Sequence, residues 1–192
     1  MNVRCRFFDL CCTGVTSWPL LLQINFKLMR VHVKVAILSD IHGNSISLEA
    51  VLDDIERRGG VNGYWFVGDY CALGFDPVGV LQRVQSLPNA VFVRGNTDRY
   101  VTDQILKPPL ASALENVDLV PVVVGVAQGF SWTQGMVTAV SQYNWLKNLS
   151  LEHRLVLPDG TRVLLVHAAP GDDDGLGVRR DHTNDDLQRI LD

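Results

Sequence analysis

Three times along the first half of the chain, a short apolar run gives way to a polar turn and then to a helical pattern. Val33, Val35, Ala36, Ile37 and Leu38 form the first run, which ends at Ser39-Asp40. A short, largely branched run bounded by turn residues predicts a strand buried on both faces. From Ser45 to Arg58, Leu48, Val51, Leu52 and Ile55 recur at helical spacing, and Gly59-Gly60 supply a stop. Gly63 to Val67, with Tyr64, Trp65 and Phe66, predicts a second strand, ending in Gly68-Asp69. A helix is expected from Pro77, with Val78, Leu81 and Val84 on its apolar face. Ala90 to Val93 predicts a third strand, ending in Arg94-Gly95-Asn96-Thr97-Asp98. Alternation of this kind predicts an α/β fold with parallel strands and right-handed crossovers.

The second half patterns less sharply. Pro121 to Val126 reads as a strand, and Trp132 to Leu149 as a helix interrupted by Gly135. Glu152 to Leu157 and Thr161 to Val166, joined by Pro158-Asp159-Gly160, predict a hairpin whose second strand runs into His167. The acidic stretch Asp172 to Asp174 reads as a solvated loop close behind His167, and Thr183 to Leu191 as a helix. Residues 1–28 do not share the pattern. Arg4 and Arg6 precede a partly apolar segment that Asp9 and Pro19 interrupt, and no A-x-A-like cleavage site follows. They are expected to be an extension outside the fold, with residues 29–192 as the domain.

The totals exclude more than they identify. A chain of 192 residues is long enough for one domain with a substantial core. A net charge of -4 without a basic stripe gives no case for nucleic-acid binding. No apolar run is long enough to span a bilayer. Cys5, Cys11, Cys12 and Cys71 form neither a C-x-x-C pair nor a disulfide framework, so a cytoplasmic protein is expected. No G-x-G-x-x-G follows the first strand, which argues against a dinucleotide-binding domain.

The candidate chemistry lies at the strand ends. Asp40 and His42, Asp69, Asn96 and His167 each follow a predicted strand. In open α/β sheets that carboxyl edge is where ligands bind. Any one of these residues alone is more simply a helix cap, a turn residue or a satisfied histidine. If the strands share a sheet, all five converge. Carboxylate, imidazole and amide donors together suit Mn, Fe or Zn better than Ca or Mg. Asp69 is then the natural bridge between two cations, with Asp40 and His42 on one and Asn96 and His167 on the other. Two cations about 3.5–4 Å apart can acidify a shared water and hold a phosphate in line for attack. Asp98 either orients a ligand or caps the next helix. Asn44 and Arg99 are candidate contacts to phosphate oxygens.

Taken in order, D-I-H-G-N, G-D, G-N-T-D and L-L-V-H resemble the successive motifs of the calcineurin-like metallophosphoesterase superfamily, and in particular its small bacterial phosphodiesterase branch. The resemblance runs from Met29 to the last residue. It implies a β-sandwich of two mixed sheets flanked by helices. It also implies hydrolysis of phosphodiesters or phosphomonoesters by a metal-bridging hydroxide. The cofactors would be two divalent ions, Mn first, with Fe, Zn or Ni as alternatives, and Asp40, His42, Asp69, Asn96 and His167 would be their ligands. Two departures stand out. Thr97 occupies the place where many members carry a histidine that serves the leaving group, so no general acid can be named. The later G-H-x-H motif has no counterpart, since His182 in R-D-H-T-N lacks both the glycine and the second histidine. A C-terminally incomplete member is therefore expected. The alternative is a catalytically inactive scaffold of the same fold, or a gene fragment.

Overall fold

The computed structural model describes residues 4–11, 32–175 and 177–191. Its centre is a four-stranded sheet in the order β1-β2-β3-β4, formed by β1 (Arg4–Cys11), β2 (His32–Ser39), β3 (Gly63–Val67) and β4 (Ala90–Val93). Strands β2, β3 and β4 are parallel, with Leu38 opposite Phe66 and Phe66 opposite Phe92. This register brings Asp40, Asp69 and Asn96 to the same carboxyl edge. A second, antiparallel sheet consists of the hairpin β5 (Glu152–Val156) and β6 (Arg162–Val166), as the pattern predicts.

Helix α1 (Ser45–Arg57) starts where the Asn44 side chain accepts from the Ser47 N–H at 2.9 Å, and it buries Leu48, Leu52 and Ile55. Helix α2 (Pro77–Gln85) has its proline in the first turn, where no N–H is needed, and Asp76 as its cap. It buries Val80, Leu81 and Val84. Phe66 lies fully buried at the middle of the sheet, stacked on Phe92 at 5.3 Å. Trp145, from α6 (Tyr143–Lys147), meets Phe92 edge-on at 5.3 Å and Tyr70 at 5.8 Å. Phe66 and Tyr70 are fully buried, and burial of a large side chain to that extent stabilises the fold by roughly 1.5–3 kcal/mol.

Two elements differ from the sequence pattern. Pro121 to Val126 is not a strand: it lies inside helix α5 (Val120–Ala139), which follows α3 (Asn96–Asp103) and the short α4 (Leu110–Glu115). The run of branched residues is locally strand-like. Pro121 in the first turn, and burial of Val123, Phe130, Thr133 and Val137 at helical spacing against α2 and α3, override that preference. The expected helix over 132–149 is divided between α5 and α6, with Ser141 in the left-handed region at φ +60° between them. The second difference falls within 1–28, which the pattern places outside the fold. There Arg4–Cys11 pairs antiparallel with the whole of β2, from Arg4 opposite Ser39 to Cys11 opposite His32. Without it, that edge of β2 would present unpaired N–H and C=O groups. The rest of that stretch, residues 1–3 and 12–28, lies outside the described residues. The chain closes with α7 (Asn184–Leu191), and no described helix is long and apolar enough to cross a membrane.

Candidate metal centre

The site is built by two strand-end loops that hold each other. Asp40 N–H donates to the Gly68 carbonyl at 3.3 Å, His42 N–H to the Asp69 carbonyl at 2.9 Å, and Gly43 N–H to the Tyr70 carbonyl at 2.7 Å. Asp40, His42 and Asp69 all sit in the left-handed region, with φ of +58°, +49° and +62°. Backbone of that kind in non-glycine residues costs about 1–3 kcal/mol each and persists where surrounding structure over-determines it. Three such residues facing one another mark this corner as shaped for something other than stability.

Their side chains converge. Ligand atoms of Asp40, Asp69 and His167 all lie within 4.8 Å of one another. His42 Nε2 stands 3.8 Å from Asp40 Oδ1 and 3.5 Å from Asp69 Oδ2. His167 Nε2 approaches the same Asp69 Oδ2 at 3.6 Å and Asn96 Oδ1 at 3.2 Å. Asp69 Oδ2 is thus flanked by an imidazole on each branch of the cluster. Ligands about 2.1 Å from a tetrahedral cation are about 3.4 Å apart, so these separations suit a shared ion. The donor set, two carboxylates, two imidazoles and an amide oxygen, fits a divalent transition metal.

The supports behind these atoms are unequal. His167 Nδ1 lies 2.7 Å from the Val67 carbonyl, which can only accept. The proton therefore belongs on Nδ1, and the Nε2 lone pair is free for the cluster. His42 Nδ1 is buried without a partner among the described residues, so backbone and packing orient that ring. Asp69 Oδ1 accepts from Thr97 N–H at 3.0 Å, which leaves Oδ2 as the atom that faces the imidazoles. The close approach depends on glycine. A Cβ on Gly68, at φ +93°, would lie 2.5 Å from Gly95 Cα and 2.8 Å from His167 Nδ1. A Cβ on Gly95 would lie 2.2 Å from Asp69 Oδ1.

Asp98 carries both roles that the sequence left open. It is fully buried and accepts from Asp69 N–H at 2.9 Å, Tyr70 N–H at 3.0 Å and Gly95 N–H at 2.9 Å. The Gly95 bond caps α3 as a reciprocal N-terminal acid, and the other two clamp the Asp69 loop. Burial and the neighbouring Asp69 carboxylate push the Asp98 carboxyl up to about 7, against three N–H groups that favour its charged form.

Asn44 and Arg99 stand differently. Asn44 Oδ1 is engaged as the cap of α1. Arg99 grips Asp173, with its Nε at 3.0 and 3.1 Å and a terminal nitrogen at 2.8 Å. Asp173 is only 4% exposed, so the stretch that reads as solvated is in part buried. Sequence reasoning missed this residue. Its partners Arg94 and Arg99 lie 79 and 74 positions away, and no local signal marks it. A cleft of about 570 Å³ opens beside the cluster, lined among others by Asp40, Asn96, His167, Asp174 and Val178.

Parallel strands ending in an Asp/His/Asn cluster under an open cleft form an α/β fold with a possible metal-ligand group at its ligand-binding edge. The chain belongs to the calcineurin-like phosphoesterase family, whose model matches residues 33–191. The parallel and antiparallel sheets flanked by helices agree with that family's fold. Among solved structures, a hypothetical protein from Pyrococcus horikoshii OT3 is similar at 17% identity and a TM-score of 0.60, covering 82% of this chain and 63% of its own. A metallophosphoesterase from Sphaerobacter thermophilus is similar at 24% identity and a TM-score of 0.50, covering 72% of this chain and 48% of its own. At those identities the likeness concerns the fold, and this chain spans less than two thirds of either length. No curated protein matches the sequence.

Proposed function

We propose that the chain hydrolyses phosphoesters, phosphodiesters first, at a dinuclear centre bridged by Asp69. Asp40 and His42 would hold one cation, and Asn96 and His167 the other. The observation that carries this reading is the convergence of Asp40, Asp69 and His167 within 4.8 Å, with His42 and Asn96 against them. Cations held there would supply an acidified water and neutralise charge on the phosphoryl oxygens. Mn is the metal to test first, with Fe, Zn or Ni as alternatives that the same carboxylate, imidazole and amide donors could hold.

The chain's own residues then set what the site can do. Asp69 holds its Oδ2 forward because Thr97 N–H takes Oδ1. His167 keeps its Nε2 lone pair inward because its Nδ1–H donates to the Val67 carbonyl. Thr97 offers no imidazole to protonate the leaving alkoxide, and its hydroxyl is buried without a partner among the described residues. Esters with good leaving groups should therefore react best. The test is Mn-dependent hydrolysis of bis(p-nitrophenyl) phosphate, expected in the parent chain and abolished in Asp69→Ala. No turnover with any divalent metal would defeat the proposal.

A further inference from the structure

The two sheets contribute separate halves of the candidate centre. Asp40, His42, Asp69 and Asn96 follow strands of the four-stranded sheet, and His167 follows the hairpin. Several contacts near the site join the halves. His167 reaches across to the Val67 carbonyl, Asn96 and Asp69, Arg94 N–H donates to the Ser150 carbonyl at 2.8 Å ahead of the hairpin, and Asp173 and Asp174 supply further side-chain bonds among the described residues. Directly after His167 the chain turns back on itself: Ala169 N–H donates to the Asp172 carbonyl at 3.0 Å, and Asp172 N–H to the Ala169 carbonyl at 3.1 Å. This turn delivers Asp173 to Arg94 Nε at 2.8 Å and to the forked grip of Arg99. Arg94 immediately precedes the Gly95-Asn96 corner, and Arg99 lies on α3. Burial works against the charge on Asp173, but the Arg99 hydrogen bonds and the two guanidinium charges outweigh it and hold the carboxyl below its ordinary range.

The next residue acts on the corner itself. Asp174 Oδ1 accepts from Asn96 Nδ2 at 3.3 Å and from the Tyr100 hydroxyl, while Lys107 Nζ lies 3.0 Å from its other oxygen. An amide has one donor end and one acceptor end. With Nδ2 drawn to Asp174, the Asn96 Oδ1 must face His167 Nε2, as it does at 3.2 Å.

We propose that Asp173 and Asp174 are positioning residues for the metal centre: Asp173 pins the His167 segment to the Asn96 corner, and Asp174 sets which end of the Asn96 amide faces the cation. Arg94 and Arg99 then serve the centre through Asp173 rather than by touching substrate. The inference rests on the metal-centre reading above and adds the device that assembles the centre from two sheets.

Mn(II) titration of the full chain by calorimetry tests it, with melting of the metal-free chain as the stability control. Asp173→Asn should weaken the affinity by about tenfold to a hundredfold, the usual effect of losing a residue that orients a ligand. In a His167→Ala background the same change should weaken it by no more than about twofold, because Asp173 acts through His167. A merely structural residue would add its full penalty in both backgrounds. The ¹⁵N signature of the Nδ1-protonated His167 ring, present in the metal-free parent, should be lost in Asp173→Asn. If Asp173→Asn does not fold, Asp174→Ala gives the same cycle against Asn96→Ala. Unchanged affinity, or additive penalties, overturns the inference while leaving the phosphoesterase reading in place. A parent chain that binds no Mn(II) overturns both.

Discussion

Replacing Asp98 should show how much of the site's geometry hangs on one buried carboxylate. Its Oδ2 accepts from both Asp69 N–H and Gly95 N–H, and its Oδ1 from Tyr70 N–H. Asp98→Asn can place its carbonyl oxygen where Oδ2 lies and keep two of those bonds. Its amide nitrogen then faces the Tyr70 N–H, and one buried donor loses its partner. That costs about 1–3 kcal/mol. Relief of the repulsion with Asp69 works the other way, so the lower half of that range is expected. For a chain of this length, 1 kcal/mol moves the melting temperature by about 2–4 °C. Asp98→Ala strands all three donors, a loss of about 3–9 kcal/mol against a total stability of about 5–15 kcal/mol. Thermal and urea unfolding of the metal-free chain should rank parent above Asn, and Asn well above Ala. An Asp98→Ala variant melting within about 2 °C of the parent would refute the clamp.

Gly68→Ala should be much worse than Gly59→Ala, though both glycines have φ near +90°. Only Gly68 has backbone and His167 within 3 Å of the added Cβ, and the excess penalty should be at least about 1–3 kcal/mol by urea unfolding. Asn44→Ala should cost about 1 kcal/mol in the same assay through loss of the α1 cap. Acid should loosen the acidic turn. Asp173 and Asp174 have folded pKa values below the ordinary carboxylate value, so their contribution is complete above about pH 4. It is lost as pH falls through the lowered values. Asp173→Asn should remove part of the parent's loss of stability below pH 4, as read by circular dichroism.

The parallel core was legible because each strand is a short apolar run ended by a polar turn, and β2, β3 and β4 match those runs. The edge where Asp40, Asp69 and Asn96 meet followed from topology alone, since successive parallel strands must end on the same side, whereas His167 arrives from the hairpin of a separate sheet. Helix α5 was not legible. Its first turn is a run of valines, and what makes it helical is a face supplied by α2 and α3. Asp173 was not legible for the same kind of reason. An acid between glycines reads as solvated until two arginines from another part of the chain are brought to it. Asp98 sat between these cases. Its position three residues after Gly95 is capping spacing, but the clamp on Asp69 depends on the pairing of β3 with β4.

Anomalous diffraction from crystals of the full chain grown with Mn(II) tests the central claim most directly. Two peaks about 3.5–4 Å apart are expected, sharing Asp69 Oδ2, one beside Asp40 and His42 and the other beside Asn96 and His167. Density for Mn(II) elsewhere on the molecule, with none among these five side chains, would contradict it.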